Sequence, residues 1–332
     1  MPLYSTSGEI ARSNARSNPY SRWYHKEAAA DEAEGKFAFQ RLRSVFFTPS
    51  LTPKFQIRRS DKLFAIGSCF ARGIEKALQA RKFEVLSAAP DFDSFTTIGP
   101  QVTGLGFTNK YNTFSIANEL KWALDPVEAF PEESILDLSG GVSYDPHTNP
   151  VLPPADRAET LRRRSILRQV NARIASCRVV VMTLGLVEVW RDLETNTFIN
   201  TTPPPEAIAR YPRRYEFHVS NFAENLSNLE TIHGLLSRFG HRETQIVTTV
   251  SPVPLMATFS DQDIVIANTY SKSLLRTAAQ EWAAAHDNVH YFPSYEIVMN
   301  SARDAAWLED LRHVQGRLVN HIMDLFVRDY LE

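Results

Sequence analysis

Leu63-Phe64-Ala65-Ile66-Gly67-Ser68-Cys69-Phe70 decides the fold. Four apolar residues in succession, closed by a glycine, suit a strand buried on both faces. Phe70, Ile74, Ala77 and Leu78 then repeat at helical spacing, so a helix follows at once. A buried strand, a one-glycine turn and a helix are the opening of a βαβ unit.

The alternation continues outward from this stretch. Short apolar runs at 83–86, 179–184, 246–250 and 289–292 read as four further strands, the third strand ending at Gly185. Amphipathic helices are expected over 222–239, 261–285 and 311–330. Strands alternating with helices give a parallel sheet covered on both faces. Two stretches, 90–156 and 186–218, break the pattern and are rich in Pro, Gly, Asn and Thr. Insertions of that length read as binding walls or lids. Residues 1–55 are polar with scattered aromatics (Tyr20, Trp23, Tyr24) and read as an arm. Residues 56–332 read as one α/β domain. Arg162, Arg163 and Arg164 lie near Glu159 in a helical pattern and read as a solvated face.

Composition narrows the function. Of 332 residues, 43% are hydrophobic and 22% charged, with a net charge of −2, so nothing suggests a nucleic-acid partner. With two cysteines, Cys69 and Cys177, no disulfide framework is expected. No run reaches the ~18 apolar residues of a membrane span. No apolar signal segment opens the chain, and a cytoplasmic protein is expected. There is no C-x-x-C and no glycine-rich phosphate loop, so neither a metal nor another cofactor is expected.

Ligands of parallel sheets bind beyond the C-terminal strand ends, which directs attention to the residues that follow each strand. Ser68 and Cys69 stand where a helix begins, on unpaired backbone N–H groups and the positive end of the dipole. That setting favours a thiolate, and both residues are candidate nucleophiles. The plain alternative is an N-cap serine beside a small buried cysteine. Asp310-Leu311-Arg312-His313 precedes the last helix and offers a base with its orienting carboxylate. In a sheet of order 2-1-3-4-5 the two motifs are expected to face one crevice. Gly185 and Glu188 after the third strand, Ser251 after the fourth, and Asn112 in the first insertion add polar groups. Asn112 is a candidate oxyanion donor.

Gly67-Ser68-Cys69-Phe70-Ala71 resembles the signature of the GSCFA domain family, which is grouped with the SGNH/GDSL-like hydrolases. The resemblance extends through Tyr111-Asn112-Thr113-Phe114, Thr183 to Trp190, Ser251 to Leu255, Ala267 to Ser273 and Tyr291 to Glu296. It implies a three-layer α/β/α flavodoxin-like sandwich around a parallel five-stranded sheet. Laid on the Gly-Asp-Ser turn of that wider class, Cys69 falls on the nucleophilic serine, and Asp310 and His313 match its Asp-x-x-His block. Two departures stand out. A cysteine replaces the serine, and Gly185-Leu186-Val187-Glu188 lacks the oxyanion asparagine of the usual Gly-x-Asn-Asp block. The resemblance implies an acyl-ester hydrolase or O-acyltransferase acting on a small-molecule or glycan acyl substrate. The alternative is a catalytically weak module that binds a glycan or protein partner.

Overall fold

The computed structural model describes residues 2–27, 35–88, 106–149 and 151–331. Residues 90–105 of the first insertion therefore lie outside the described residues, as do 28–34 of the arm. The chain divides into two compact units, Ile57–Phe292, and Met1–Gln56 with Pro293–Glu332.

The larger unit is built on a five-stranded parallel sheet. Its strands are β1 (Lys62–Gly67), β2 (Glu84–Val85), β3 (Val179–Leu184), β4 (Gln245–Val250) and β5 (Val289–Tyr291). They pair in the spatial order β5-β4-β3-β1-β2, which is the expected order read from the other edge. Every residue of β3 is buried, and β1 is buried from Leu63 onward. Strands covered on both faces need no polar alternation, which is why they read as continuous apolar runs.

The chain leaves β1 toward β2 in one direction and β3 toward β4 and β5 in the other. Right-handed crossovers then put helix Cys69–Ala80 on one face of the sheet and helices Phe222–Phe239 and Ile264–Ala285 on the opposite face. The result is a three-layer α/β/α sandwich.

The insertions hold more regular structure than expected. Residues 186–218 form a three-stranded antiparallel sheet of Glu188–Asp192, Thr197–Ile199 and Tyr215–Val219. The first insertion supplies helix Thr113–Leu124, which precedes helix Arg157–Ala172. On the latter, Arg162 and Arg163 bond Glu159 as a solvated face would. Arg164 does not belong to that face: it is 5% exposed and pairs with Glu119 and Asp145. The third guanidinium of the run turns inward because two buried carboxylates await it.

In the smaller unit the arm opens with helix Gly8–Ser17 and joins the C-terminal segment. The Ala302 N–H donates to Val45 O at 2.9 Å, and the Phe47 N–H donates to Ser301 Oγ at 2.9 Å. Phe55 packs edge-on to Tyr330 with ring centroids 5.3 Å apart. The aromatics singled out in the arm, Tyr20, Trp23 and Tyr24, are all exposed.

Candidate functional site

The turn after β1 is held by β3. Gly67 has φ 132°, and a Cβ there would meet Thr183 O at 2.2 Å and Thr183 Oγ1 at 2.5 Å. Only glycine can take this conformation at this separation. The next residue binds the same threonine: the Ser68 N–H donates to Thr183 Oγ1 at 2.9 Å, and the two hydroxyls lie 3.1 Å apart. Ser68 is the N-cap residue of helix Cys69–Ala80 by position, but its side chain makes no cap bond and is 3% exposed. Cys69 occupies the first helical position and is half-buried. The cysteine therefore stands half-buried at the helix start, while the serine is bonded to the neighbouring strand.

Residues 106–112 of the first insertion dock on the ends of both central strands. The Lys110 N–H donates to Gly67 O at 2.8 Å, and the Leu186 N–H donates to Tyr111 O at 2.9 Å. A Cβ on Gly185 would come within 2.4 Å of Tyr111 O, so this glycine admits the docked segment. Asn200 clamps it from the antiparallel sheet, accepting from the Tyr111 N–H at 3.0 Å and donating to Asn109 O at 2.9 Å.

Asn112 has a different role from the expected oxyanion donor. It is the N-cap of helix Thr113–Leu124. Its Oδ1 accepts from the Ser115 N–H at 2.7 Å, and its Nδ2 donates to Ile199 O at 3.1 Å. The side chain is 2% exposed, and both ends of its amide bond the fold.

Beneath this segment lies a buried charge network that sequence reading missed. Lys110 Nζ donates to Glu119 Oε1 at 2.5 Å and to His147 O at 2.6 Å. Arg164 donates to the same Glu119 oxygen at 2.6 Å and to Asp145 at 2.9 Å. Asn171 takes the other Glu119 oxygen at 3.0 Å. Burial alone would raise the Glu119 pKa, but Arg164 and Lys110 outweigh it and hold the carboxyl at about 2. Two cations and two carboxylates balance, which lets four charges be buried together. The docked segment is thus anchored by backbone bonds above and by an ion network below.

The remaining strand ends are tied into the same edge. The Ser251 N–H donates to Leu184 O at 2.8 Å, and its buried Oγ has no partner among the described residues. Lys272 reaches Gly185 O at 2.6 Å and Val253 O at 2.8 Å, while the Val187 N–H donates to Ser271 Oγ at 3.1 Å. Glu188 is used to hold a loop, accepting from Thr258 Oγ1 at 2.7 Å and the Phe259 N–H at 3.2 Å. Gly67, Ser68, Cys69, Gly185, Glu188 and Ser251 therefore share the C-terminal edge of one sheet.

Asp310 and His313 belong to the smaller unit. Asp310 Oδ2 lies 2.5 Å from His313 Nδ1, and Asp310 Oδ1 accepts the N–H groups of both Arg312 and His313 at 3.0 Å. The His313 backbone N–H, then its ring, hold the Asp310 carboxyl well below the usual range. Arg312 Nη1 is 3.3 Å from His313 Nε2. A guanidinium can only donate, so Nε2 accepts and Nδ1 carries the proton toward Asp310. This is the tautomer a general base requires. The pair does not sit at a helix start, as the sequence suggested: helix Gly316–Tyr330 begins later. The intervening loop is closed by the Leu308 N–H bonding His313 O at 2.8 Å, with Leu311 at φ 51°.

The family model described as GSCFA family matches residues 62–326. No curated protein matches the chain.

Proposed function

The chain belongs to the GSCFA family, and from that premise we propose that it is an acyl-ester hydrolase or O-acyltransferase whose nucleophile is Cys69. The observation that carries this reading is the division of labour at the β1 turn. Ser68 is buried and bonded to Thr183, while Cys69 stands half-buried at the first position of the following helix. Helix starts favour anions, so a thiolate and a developing oxyanion are both stabilised there.

In this reading Cys69 Sγ attacks the acyl carbon after giving its proton to a general base, a role assigned to His313 with Asp310 orienting the ring. The tetrahedral oxyanion is held by first-turn backbone N–H groups. The alcohol leaves with the proton from His313, and a thioester remains on Cys69. Water or an acceptor hydroxyl, a sugar hydroxyl among them, then takes the acyl group, giving up its proton to His313. No cofactor is required.

A second reading is supported by Asn112 and Glu188. The side chains nearest in sequence to an oxyanion role are both occupied, one as a helix cap and one as a loop anchor. A fold with weakened catalysis that binds a glycan or protein partner would tolerate that. Incubation with p-nitrophenyl acetate and intact-mass measurement separates the two. Acylation of Cys69, lost in His313→Ala, supports the enzyme. No acylation and no turnover with any acyl ester overturns it in favour of binding.

A further inference from the structure

We propose that Glu230, His233 and His286 form a binding site for one divalent transition-metal ion, Zn2+ by preference, at the N-terminal edge of the parallel sheet. Glu230 and His233 are three residues apart on helix Phe222–Phe239, hence on one face of it. His286 ends helix Ile264–Ala285, at the turn that leads into β5. One ligand atom from each of the three side chains lies within 4.8 Å of the others.

The pairwise geometry is close to that of a ligand set. His286 Nε2 is 2.8 and 3.0 Å from the two Glu230 oxygens. Ligands on a tetrahedral ion with bonds of ~2.1 Å stand about 3.4 Å apart, so a shift of roughly half an ångström brings these side chains to that separation. The imidazoles of His233 and His286 stack with centroids 3.7 Å apart at 23°. Turning both toward one ion takes rotation about χ2, which is soft in histidine.

An independent observation concerns His233. Its Nε2 lies 3.0 Å from Asn288 Oδ1. The Asn288 Nδ2 donates to Thr244 O at 3.0 Å, which fixes the amide with its oxygen toward the ring. Nε2 therefore carries the proton and Nδ1 presents its lone pair. A ligating histidine whose other nitrogen donates to a fixed oxygen is the usual support of a metal site. Two imidazoles and a carboxylate, with a position left for water, suit zinc better than calcium or magnesium, which prefer all-oxygen sets. The bound ion would pin one helix to the turn that starts β5, at the opposite end of the strands from Ser68 and Cys69.

The test uses the tag-free full chain stripped with chelator, titrated with ZnCl2 by calorimetry and with CoCl2 by absorption. One ion per chain is expected, with the visible d–d bands of low-coordinate Co2+ and a raised unfolding temperature. His233→Ala and His286→Ala should each weaken binding at least 100-fold, and Asn288→Ala about 10-fold. All three positions are near the surface, and circular dichroism checks that the variants fold. His286→Cys should restore one-to-one binding and add a thiolate charge-transfer band. Absence of one-to-one binding in the natural chain overturns the proposal, as does binding that His233→Ala and His286→Ala leave unchanged.

Discussion

The hydroxyl of Ser68 faces the hydroxyl of Thr183 at 3.1 Å, and the same threonine oxygen takes the Ser68 N–H at 2.9 Å. β1 and β3 are paired up to Gly67 and Thr183, so this contact closes the ladder at the point where the helix departs. A serine used in this way keeps the turn in shape, and the half-buried position at the helix start falls to the residue after it.

Replacement of the two candidate nucleophiles should therefore have unequal effects. Cys69→Ala should reduce acyl-ester turnover by about a thousandfold or more. Ser68→Ala removes one buried hydroxyl pair, costs about 1 kcal/mol of stability, and should leave most turnover in place. Denaturant unfolding and p-nitrophenyl acetate kinetics measure both. Full activity in Cys69→Ala with none in Ser68→Ala would assign the nucleophile to Ser68.

Alkylation distinguishes the two cysteines without a substrate. Cys177 is 0% exposed, and burial pushes its thiol up to about 12. Cys69 is half-buried at the start of a helix. With iodoacetamide on the native protein near pH 7, peptide mass spectrometry should find Cys69 labelled at least ten times faster. Equal, slow labelling of both would remove the thiol mechanism.

The sheet was legible because its strands are buried on both faces, so apolar runs such as 179–184 carry the signal without any period. The antiparallel sheet was not. Glu188–Asp192 alternates irregularly between buried and half-buried residues, and its strands are short. Helix Thr113–Leu124 was hidden for another reason: its buried face includes Thr113, Ser115 and Glu119, so it looks polar. The motif residues around Gly67, Gly185 and Ser251 were legible as one edge because topology sends every strand end there. The jobs of Asn112, Lys110 and Arg164 depend on partners distant in sequence, Ile199, Glu119 and Asp145, which no local pattern announces. The same holds for His286 beside Glu230 and His233.

Gly185 tests whether the docked segment matters. A methyl group there would stand 2.4 Å from Tyr111 O, which is backbone and cannot swing aside. Gly185→Ala should displace residues 106–112, break the Leu186–Tyr111 bond and cost about 3 kcal/mol. Hydrogen exchange should show lost protection at Leu186 and Lys110, while β4 and β5 stay protected. Unchanged protection at Leu186 and Lys110 would mean that the segment takes up the methyl group without leaving the strand ends.

His147 is buried edge-to-face with Trp122 and Phe130, at 4.8 and 5.7 Å, and neither ring nitrogen has a partner among the described residues. Burial holds its pKa down at about 4, against an ordinary 6.5, with Asp145 and Glu119 opposing the shift and Arg164 and Lys110 adding to it. In the unfolded chain the ring takes a proton below about pH 6.5, but in the fold it does so only near 4. The unfolded state therefore binds more protons between those values, and stability falls as pH drops through them. From pH 7 to pH 5 the loss from this one residue is about 2 kcal/mol. Glu119, held at about 2, stays ionised across that window and contributes its own loss only at lower pH. His147→Phe keeps an aromatic ring between Trp122 and Phe130 and removes both unpartnered nitrogens. It should match or exceed the natural chain at pH 7 and lose about 2 kcal/mol less on going to pH 5. Urea unfolding at the two pH values measures the difference. An identical loss in both proteins would show that other groups set the acid sensitivity.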